Sequence, residues 1–158
     1  MLNDLLKGKT WLVYDGTAVV GTITIDPEEP LIADERPVWP GWKRGEPALY
    51  VRRVIVSRAR AGLGLGAALL DWAAHVAKRD YGVQLIRVDV WTTNRGLHAF
   101  YEQQRFIRQV GRDPRELGDY PSQALFERQV DQSGSDFTRL LTEVGSPDGP
   151  RTPPVDRR

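Results

Sequence analysis

The stretch "SRARAGLGLGAALLDWA", Ser57 to Ala73, decides how the rest of the chain is read. Gly62, Gly64 and Gly66 alternate with leucines and lead straight into an alanine-rich amphipathic run. Before it, ALYVRRVIV (Ala48 to Val56) has the β-branched and aromatic content of a strand. After it, AALLDWAAHVAKRD (Ala67 to Asp80) reads as a helix. Leu69, Leu70, Trp72, Ala73, Val76 and Ala77 are its apolar residues, with Asp71, His75, Lys78 and Arg79 on the other side. A strand that turns through glycines into a helix leaves the first helical N–H groups without partners, and the helix dipole favours an anion there. Glycines also remove the β-carbons that would hold a phosphate off the backbone. The expected visitor is a phosphate or pyrophosphate group. The plain alternative is a flexible turn whose glycines allow tight helix–strand packing.

Working outward, TWLVYDGTAVVGTITI (Thr10 to Ile25) is two β-rich runs around Asp15-Gly16, a strong hairpin signal. VQLIRVDVW (Val83 to Trp91) is another strand, and Asn94 caps a second helix, RGLHAFYEQQ. FIRQVGR (Phe106 to Arg112) and SQALFERQV (Ser122 to Val130) read as a closing pair of strands, joined by a polar loop with Pro114 and Gly118. Pro27 to Pro47 is loop-like, with Trp39 and Trp42 reading as exposed. The fold class is α/β (α+β): a mixed, mostly antiparallel sheet with a central βαβ crossover around the glycine loop. Residues 1–130 form the expected domain. Residues 131–158 form a tail, with Asp136 to Val144 as a short helix or linker. From Gly145 the tail has the Pro/Gly/Arg-rich composition of disorder.

At 158 residues the chain suits one compact domain. Its 22 basic and 21 acidic residues nearly cancel, so no overall positive field argues for nucleic acid. The absence of cysteine rules out disulfides, thiolate metal sites and an acyl-cysteine intermediate. His75 and His98 are too few for a three-histidine metal site. No metal is expected. MLNDLLKGK lacks the apolar core of a signal peptide, and no run has membrane-spanning length, so a cytoplasmic location without membrane partners is expected.

The phosphate ligand can be narrowed. A nucleotide P-loop requires Lys and Ser or Thr after its last glycine, and here Ala67 and Ala68 follow Gly66. A dinucleotide fingerprint fails at the third glycine, since Leu69 stands there, and Asp89 lies inside a strand instead of at its end. VIVSRARAGLGLGAALLDWA together with TTNRGLHAFYEQQRF resembles the GNAT superfamily of acetyl-CoA-dependent N-acetyltransferases over roughly Thr10 to Arg128. The family's leading Arg or Gln falls at Ala61, with Arg60 one place earlier. The glycine of its Gly-Phe pair is Arg105, which would cost on the order of 1 kcal/mol in a left-handed conformation.

The resemblance implies that the backbones of Val54, Ile55 and Val56 pair with a pantetheine arm like an added strand. It implies that the N–H groups of Gly62, Leu63, Gly64, Leu65, Gly66 and Ala67 hold the pyrophosphate, that Asn94 orients acetyl-CoA, and that Tyr101 sits near the thioester sulfur. Independently, Asn94, His98 and Tyr101 at i, i+4 and i+7 share one helix face. A plain N-cap is the alternative for Asn94, and a packing role for His98. His75 belongs to the surface.

The implied reaction is N-acetyl transfer to a primary amine of a small molecule or peptide, by direct attack in a ternary complex. Tyr101 is the candidate acid toward the departing thiolate, and a main-chain N–H near Val54 the candidate support for the carbonyl oxygen. Asp89 is the first candidate base and Glu46 the second; the competing reading of Asp89 is a salt bridge to Arg53 or Arg87. Arg52, Arg53 and Arg87 suit an acidic acceptor, and Trp39, Trp42 and Trp91 an aromatic pocket under a Pro-rich lid. The family's usual opening strand and two helices are reduced here to MLNDLLKGK; a trimmed fold, an element borrowed from a partner chain in a homodimer, or a misassigned start would each account for this. The competing function is a non-catalytic acetyl-CoA-binding regulatory module.

Overall fold

The computed structural model describes residues 10–29, 31–32, 37–43, 45–132 and 137–142. The opening MLNDLLKGK, the tail from residue 143 and the Trp42 side chain lie outside the described residues. Six strands form one sheet: β1 Thr10–Asp15, β2 Ala18–Asp26, β3 Leu49–Val56, β4 Leu85–Val90, β5 Ile107–Gln109 and β6 Ala124–Gln129, in the order β1-β2-β3-β4-β6-β5. The helices are α1 Leu65–Tyr81, α2 Arg95–Gln103 and the short α3 Pro114–Leu117. β1 with β2, β4 with β6, and β5 with β6 are antiparallel, while β3 and β4 are parallel with α1 as their crossover. This is the mixed, mostly antiparallel sheet the sequence pattern predicts. The chain divides into two compact units. One comprises Met1–Ile25, Val51–Ala73 and Ser135–Arg158, the other Asp26–Tyr50 and Ala74–Gly134.

In the first unit the hairpin closes where expected. Asp15 pairs with Ala18, and Gly16 takes φ +62° at the first of the two loop positions, as a type II′ turn demands. A bulge shifts the register between Val13 and Tyr14. Val13 and Ile23 are fully buried, Thr10 and Thr24 join their hydroxyls at 2.9 Å, and the Trp11 ring meets the edge of Trp72 at 4.7 Å. α1 begins at Leu65, two residues before the expected start, because the Gly64 carbonyl accepts the Ala68 N–H at 3.0 Å. Gly66 therefore lies in the helix and not ahead of it. Asp71, read from the sequence as polar-face, is only 2% exposed. The small residues Ala68 and Ala74, one turn to either side, are buried with it and widen the covered arc.

In the second unit, β4 carries Arg87 and Asp89 on one face and Ile86, Val88 and Val90 on the other. Val38, Trp39, Ala48, Tyr50, Leu85 and Leu125 form a buried cluster, with Ile32 and Tyr120 packed against it. Trp39, expected to be exposed, is 0% exposed. The proline-rich loop folds back so that the Arg87 guanidinium lies 4.6 Å from its ring centroid and Tyr50 meets it edge-on. The expected strand Phe106 to Arg112 shortens to β5, and the polar loop after it contains α3, capped by the Asp113 side chain with Pro114 in its first turn.

α2 is closed at both ends by its own sequence. Asn94 Oδ1 accepts the Leu97 N–H at 3.0 Å. At the other end Arg105 takes φ +66°; its N–H donates to Glu102, and the Phe106 N–H donates to Tyr101, both at 3.0 Å. These two bonds make a Schellman motif, and its usual apolar contact is the Tyr101–Phe106 ring pair at 5.2 Å. Arg128 Nη1 donates to the Gln104 carbonyl at 3.0 Å and pins the same turn. The left-handed position that favours glycine holds an exposed arginine. Arg105→Gly should therefore raise stability by up to about 1 kcal/mol, or about 3 °C in Tm, by relieving the torsional cost. Thermal unfolding of the two proteins at one pH checks this, and an unchanged or lower Tm contradicts it.

Candidate active site

The first unit supplies a strand end, a turn and a helix start. Along β3, Arg53 takes φ +51° in mid-strand, and its carbonyl accepts a hydrogen bond from Thr22 Oγ1 at 3.1 Å. Beyond it Val54 and Val56 are half-buried and Ile55 is exposed. A β-carbon at Gly21 would stand 2.9 Å from the Ile55 carbonyl oxygen, so only glycine admits this approach of β2. The Ser57 N–H donates to Val20 at 2.8 Å, and a single 3-10 turn, Arg58–Arg60, follows.

Gly62 and Gly64 then take φ +77° and +78°. Among the described residues, no hydrogen bond takes the N–H groups of Gly62, Leu63, Gly64, Leu65, Gly66 or Ala67. Six consecutive donors thus stand at the start of α1, where the dipole is positive. Room within the protein is not what the glycines supply. Among the described residues, a β-carbon at Gly62 would meet nothing within 4 Å, and one at Gly64 only Leu140 Cδ1 at 4.0 Å. What glycine provides here is the left-handed backbone that aims the amides. Arg60, next to the position of the family's motif arginine, is ion-paired with Asp15 at the hairpin turn.

The second unit holds the remaining candidates. Asn94 is an N-cap, as its alternative reading had it, and its side-chain nitrogen is not consumed by that bond. His98 is 8% exposed, with Nε2 at 2.9 Å from the Trp91 carbonyl and its ring against Phe126, so it packs. His75 is exposed. Trp91 is exposed, whereas Trp39 is sealed in the core, so these two do not line one aromatic wall.

Tyr101 is 6% exposed and lies between Phe100, Phe106 and Phe126. Among the described residues, no hydrogen bond engages its hydroxyl. Burial, and secondarily the charge of Asp89, push its phenol up to about 12.

Asp89 Oδ2 accepts a hydrogen bond of 2.6 Å from the Tyr120 hydroxyl. The salt bridges of Arg87 go instead to Glu127 (3.1 Å) and Glu46 (3.5 Å). Arg87 also donates to the Lys43 carbonyl at 3.0 Å, while Lys43 Nζ reaches Glu127 at 3.0 Å and Glu46 at 3.5 Å. Arg87 is fully buried in this network and acts as a strut, which removes it as a surface cation for an acidic acceptor. Tyr120, Lys43 and Glu127 escaped the sequence reading because they lie far apart in the chain and follow no motif. The only sequence signal was the Gly118 turn placed shortly before Tyr120.

The site thus offers a run of backbone donors at a strand–glycine–helix joint in a mixed sheet. The statistical model of the acetyltransferase (GNAT) family matches residues 2–106, more than half of the chain, and the chain belongs to that family. An acetyltransferase of the GNAT family from Listeria monocytogenes 4b F2365 superposes with a TM-score of 0.60 at 20% identity, covering 80% of this chain and 67% of its own. One from Staphylococcus aureus MU50 superposes with a TM-score of 0.52 at 18% identity, covering 81% of this chain and 72% of its own. At such identities the likeness is one of fold. No curated protein matches by sequence.

The Tyr101 shift carries a sign for stability. Its folded value lies above the ordinary value of 10, so the neutral form is favoured on folding. That contribution is complete below pH 10 and is lost as pH rises through about 12. Tyr101→Phe lacks the titrating group. Between pH 9.5 and pH 12 its stability relative to wild type should improve by roughly 2–3 kcal/mol. Denaturant unfolding at the two pH values measures the difference, and a constant gap would show that the phenol is not desolvated.

Proposed function

We propose that this acetyltransferase moves the acetyl group of acetyl-CoA to a primary amine of a small molecule or peptide, by direct attack in a ternary complex. The observation that carries the donor half is the run of six N–H groups from Gly62 to Ala67, untaken among the described residues and aimed by two left-handed glycines. These groups fit a pyrophosphate by geometry and by dipole. The backbones of Val54, Ile55 and Val56 pair with the pantetheine arm as an added strand would. Asn94 orients the arm through its side-chain amide while capping α2. Acetyl-CoA, when bound, supplies the acetyl group as a thioester.

Tyr101 is the acid in this reading. With its phenol up at about 12 it remains protonated at any working pH. Complete proton transfer to a thiolate of ordinary pKa, about 8.5, is uphill for such a phenol, so its contribution is a strong hydrogen bond to the departing sulfur. The acceptor ammonium must lose a proton before its nitrogen can attack. Asp89 takes that proton. Glu46, the second candidate, is already drawn to Lys43 and Arg87. With no cysteine in the chain, an acyl-cysteine route is closed.

The test pairs calorimetry with acetyl-CoA with thiol release across a panel of primary amines. Binding with release on at least one amine supports the transferase; binding without turnover on any of them favours the regulatory module. Gly64→Ala addresses the amide run directly. Its β-carbon has space, so the protein should lose only the torsional cost, roughly 1–2 kcal/mol. Relaxing that torsion re-aims the amides, and acetyl-CoA affinity should fall about tenfold or more, equivalent to about 1.4 kcal/mol. A less stable protein with unchanged affinity would remove the amide run from the donor site.

A further inference from the structure

Two residues can join antiparallel neighbours such as β5 and β6, yet residues 110–123 lie between them. That connection is built, not slack. Leu117 is buried, Gly118 at φ +58° turns the chain, and the Tyr120 N–H donates to Leu117 at 3.3 Å. Gln123 Nε2 donates to the carbonyls of Tyr120 at 2.7 Å and Gly118 at 3.2 Å. The Pro121 carbonyl accepts from the Thr92 N–H at 2.9 Å and from Thr92 Oγ1 at 3.1 Å, and the Gln123 N–H returns to that hydroxyl at 3.2 Å. Thr92 lies just beyond β4, three residues after Asp89. The chain after Tyr120 is thereby fastened to the end of the strand that carries Asp89, and the chain before it is tied to Tyr120 and Gln123 within the loop.

Between these fastenings the Tyr120 ring packs on the apolar cluster of Trp39, Tyr50 and Leu125, and its hydroxyl donates to Asp89 Oδ2 at 2.6 Å. That length belongs to a charge-assisted O–H···O⁻ bond. A carboxylate gripped at one oxygen cannot turn about its terminal torsion without breaking the bond, so the position of its other oxygen is set as well.

We infer that Tyr120 is the positioning residue for Asp89, holding the carboxylate ionised and oriented to accept the acceptor ammonium's proton. The inference rests on the proposed reading of Asp89 as base. In the step, one N–H bond of the ammonium breaks and its proton passes to Asp89. The amine is left neutral and the carboxyl protonated, while Tyr120 keeps its own proton throughout. Among the described residues, the ionisable groups placed around Asp89 include Tyr101 from α2, Arg87 two positions earlier on the same face of β4, and, through Arg87, Glu127, Glu46 and Lys43. Tyr120 is a neutral donor on the carboxylate itself, so replacing it by phenylalanine changes no net charge.

The experiment compares the full chain with its Tyr120→Phe variant. A hydrogen bond donated to a carboxylate favours the ionised form, so the midpoint of the Asp89 carboxyl titration, read by carbon-13 NMR, should rise by about one pH unit in the variant. The acidic limb of the thiol-release profile, on an amine accepted in the screen, should rise with it, while calorimetric acetyl-CoA affinity stays the same. An unmoved midpoint overturns the inference outright. A midpoint that moves without the acidic limb overturns it through Asp89, which is then not the base, while unchanged acetyl-CoA affinity leaves the donor-binding reading standing.

Discussion

The peptide donors between β3 and α1 are the constraint on which the rest depends. A helix cannot satisfy its own first N–H groups, and most folds hand them to a capping side chain or to water. Here Gly64, which has no side chain to cap with, occupies the joint, and Gly62 and Gly64 hold conformations that any other residue would adopt at a cost of roughly 1–2 kcal/mol. The chain from Ala61 to Gly64 is exposed, so water can satisfy the donors of Gly62, Leu63 and Gly64 when no ligand does. Peptide dipoles supply an attraction for an anion here, while Arg60 is turned to Asp15.

The second unit is organised around the end of a helix. The Schellman motif at Arg105 brings Phe106 back onto Tyr101, and Arg128 closes over the turn, its guanidinium 5.1 Å from the Phe106 ring centroid. Packing and chemistry are then the same fact. The aromatic cage that holds the Tyr101 ring also removes water from it, and lost solvation is what raises the phenol. A left-handed arginine in the capping position is tolerated because two backbone hydrogen bonds and a buried ring pair outweigh one unfavourable torsion.

The loop between β2 and β3 shows how burial changes the meaning of a charged residue. Arg87 looks in sequence like a cation available to a substrate. In the fold it is enclosed by Trp39, Tyr50, Lys43, Glu46 and Glu127, and it ties the 3-10 turn of residues 41–43 to the sheet. Taking away one member of such a network leaves a buried charge uncompensated, which costs several kcal/mol, although the intact network adds little over an apolar core. Its effect is therefore on shape: it fixes where Glu46 stands.

Local signals in the chain were enough for the hairpin at Gly16, the order of strands and helices, the glycine turn, the Asn94 cap and the Tyr101–Phe106 spacing. Each of these is governed by a dihedral preference or a hydrogen bond between residues a few positions apart, and such rules are written in neighbouring letters. The enclosure of Trp39 and Arg87, the burial of Asp71 and the meeting of Tyr120 with Asp89 were settled only by the tertiary structure. These depend on which surfaces close over which. Tyr120 is 31 residues from Asp89 and Lys43 is 84 from Glu127, and no periodicity encodes a pairing at such range. The physical division is between torsions, which are local, and desolvation, which arises only when distant segments exclude water together.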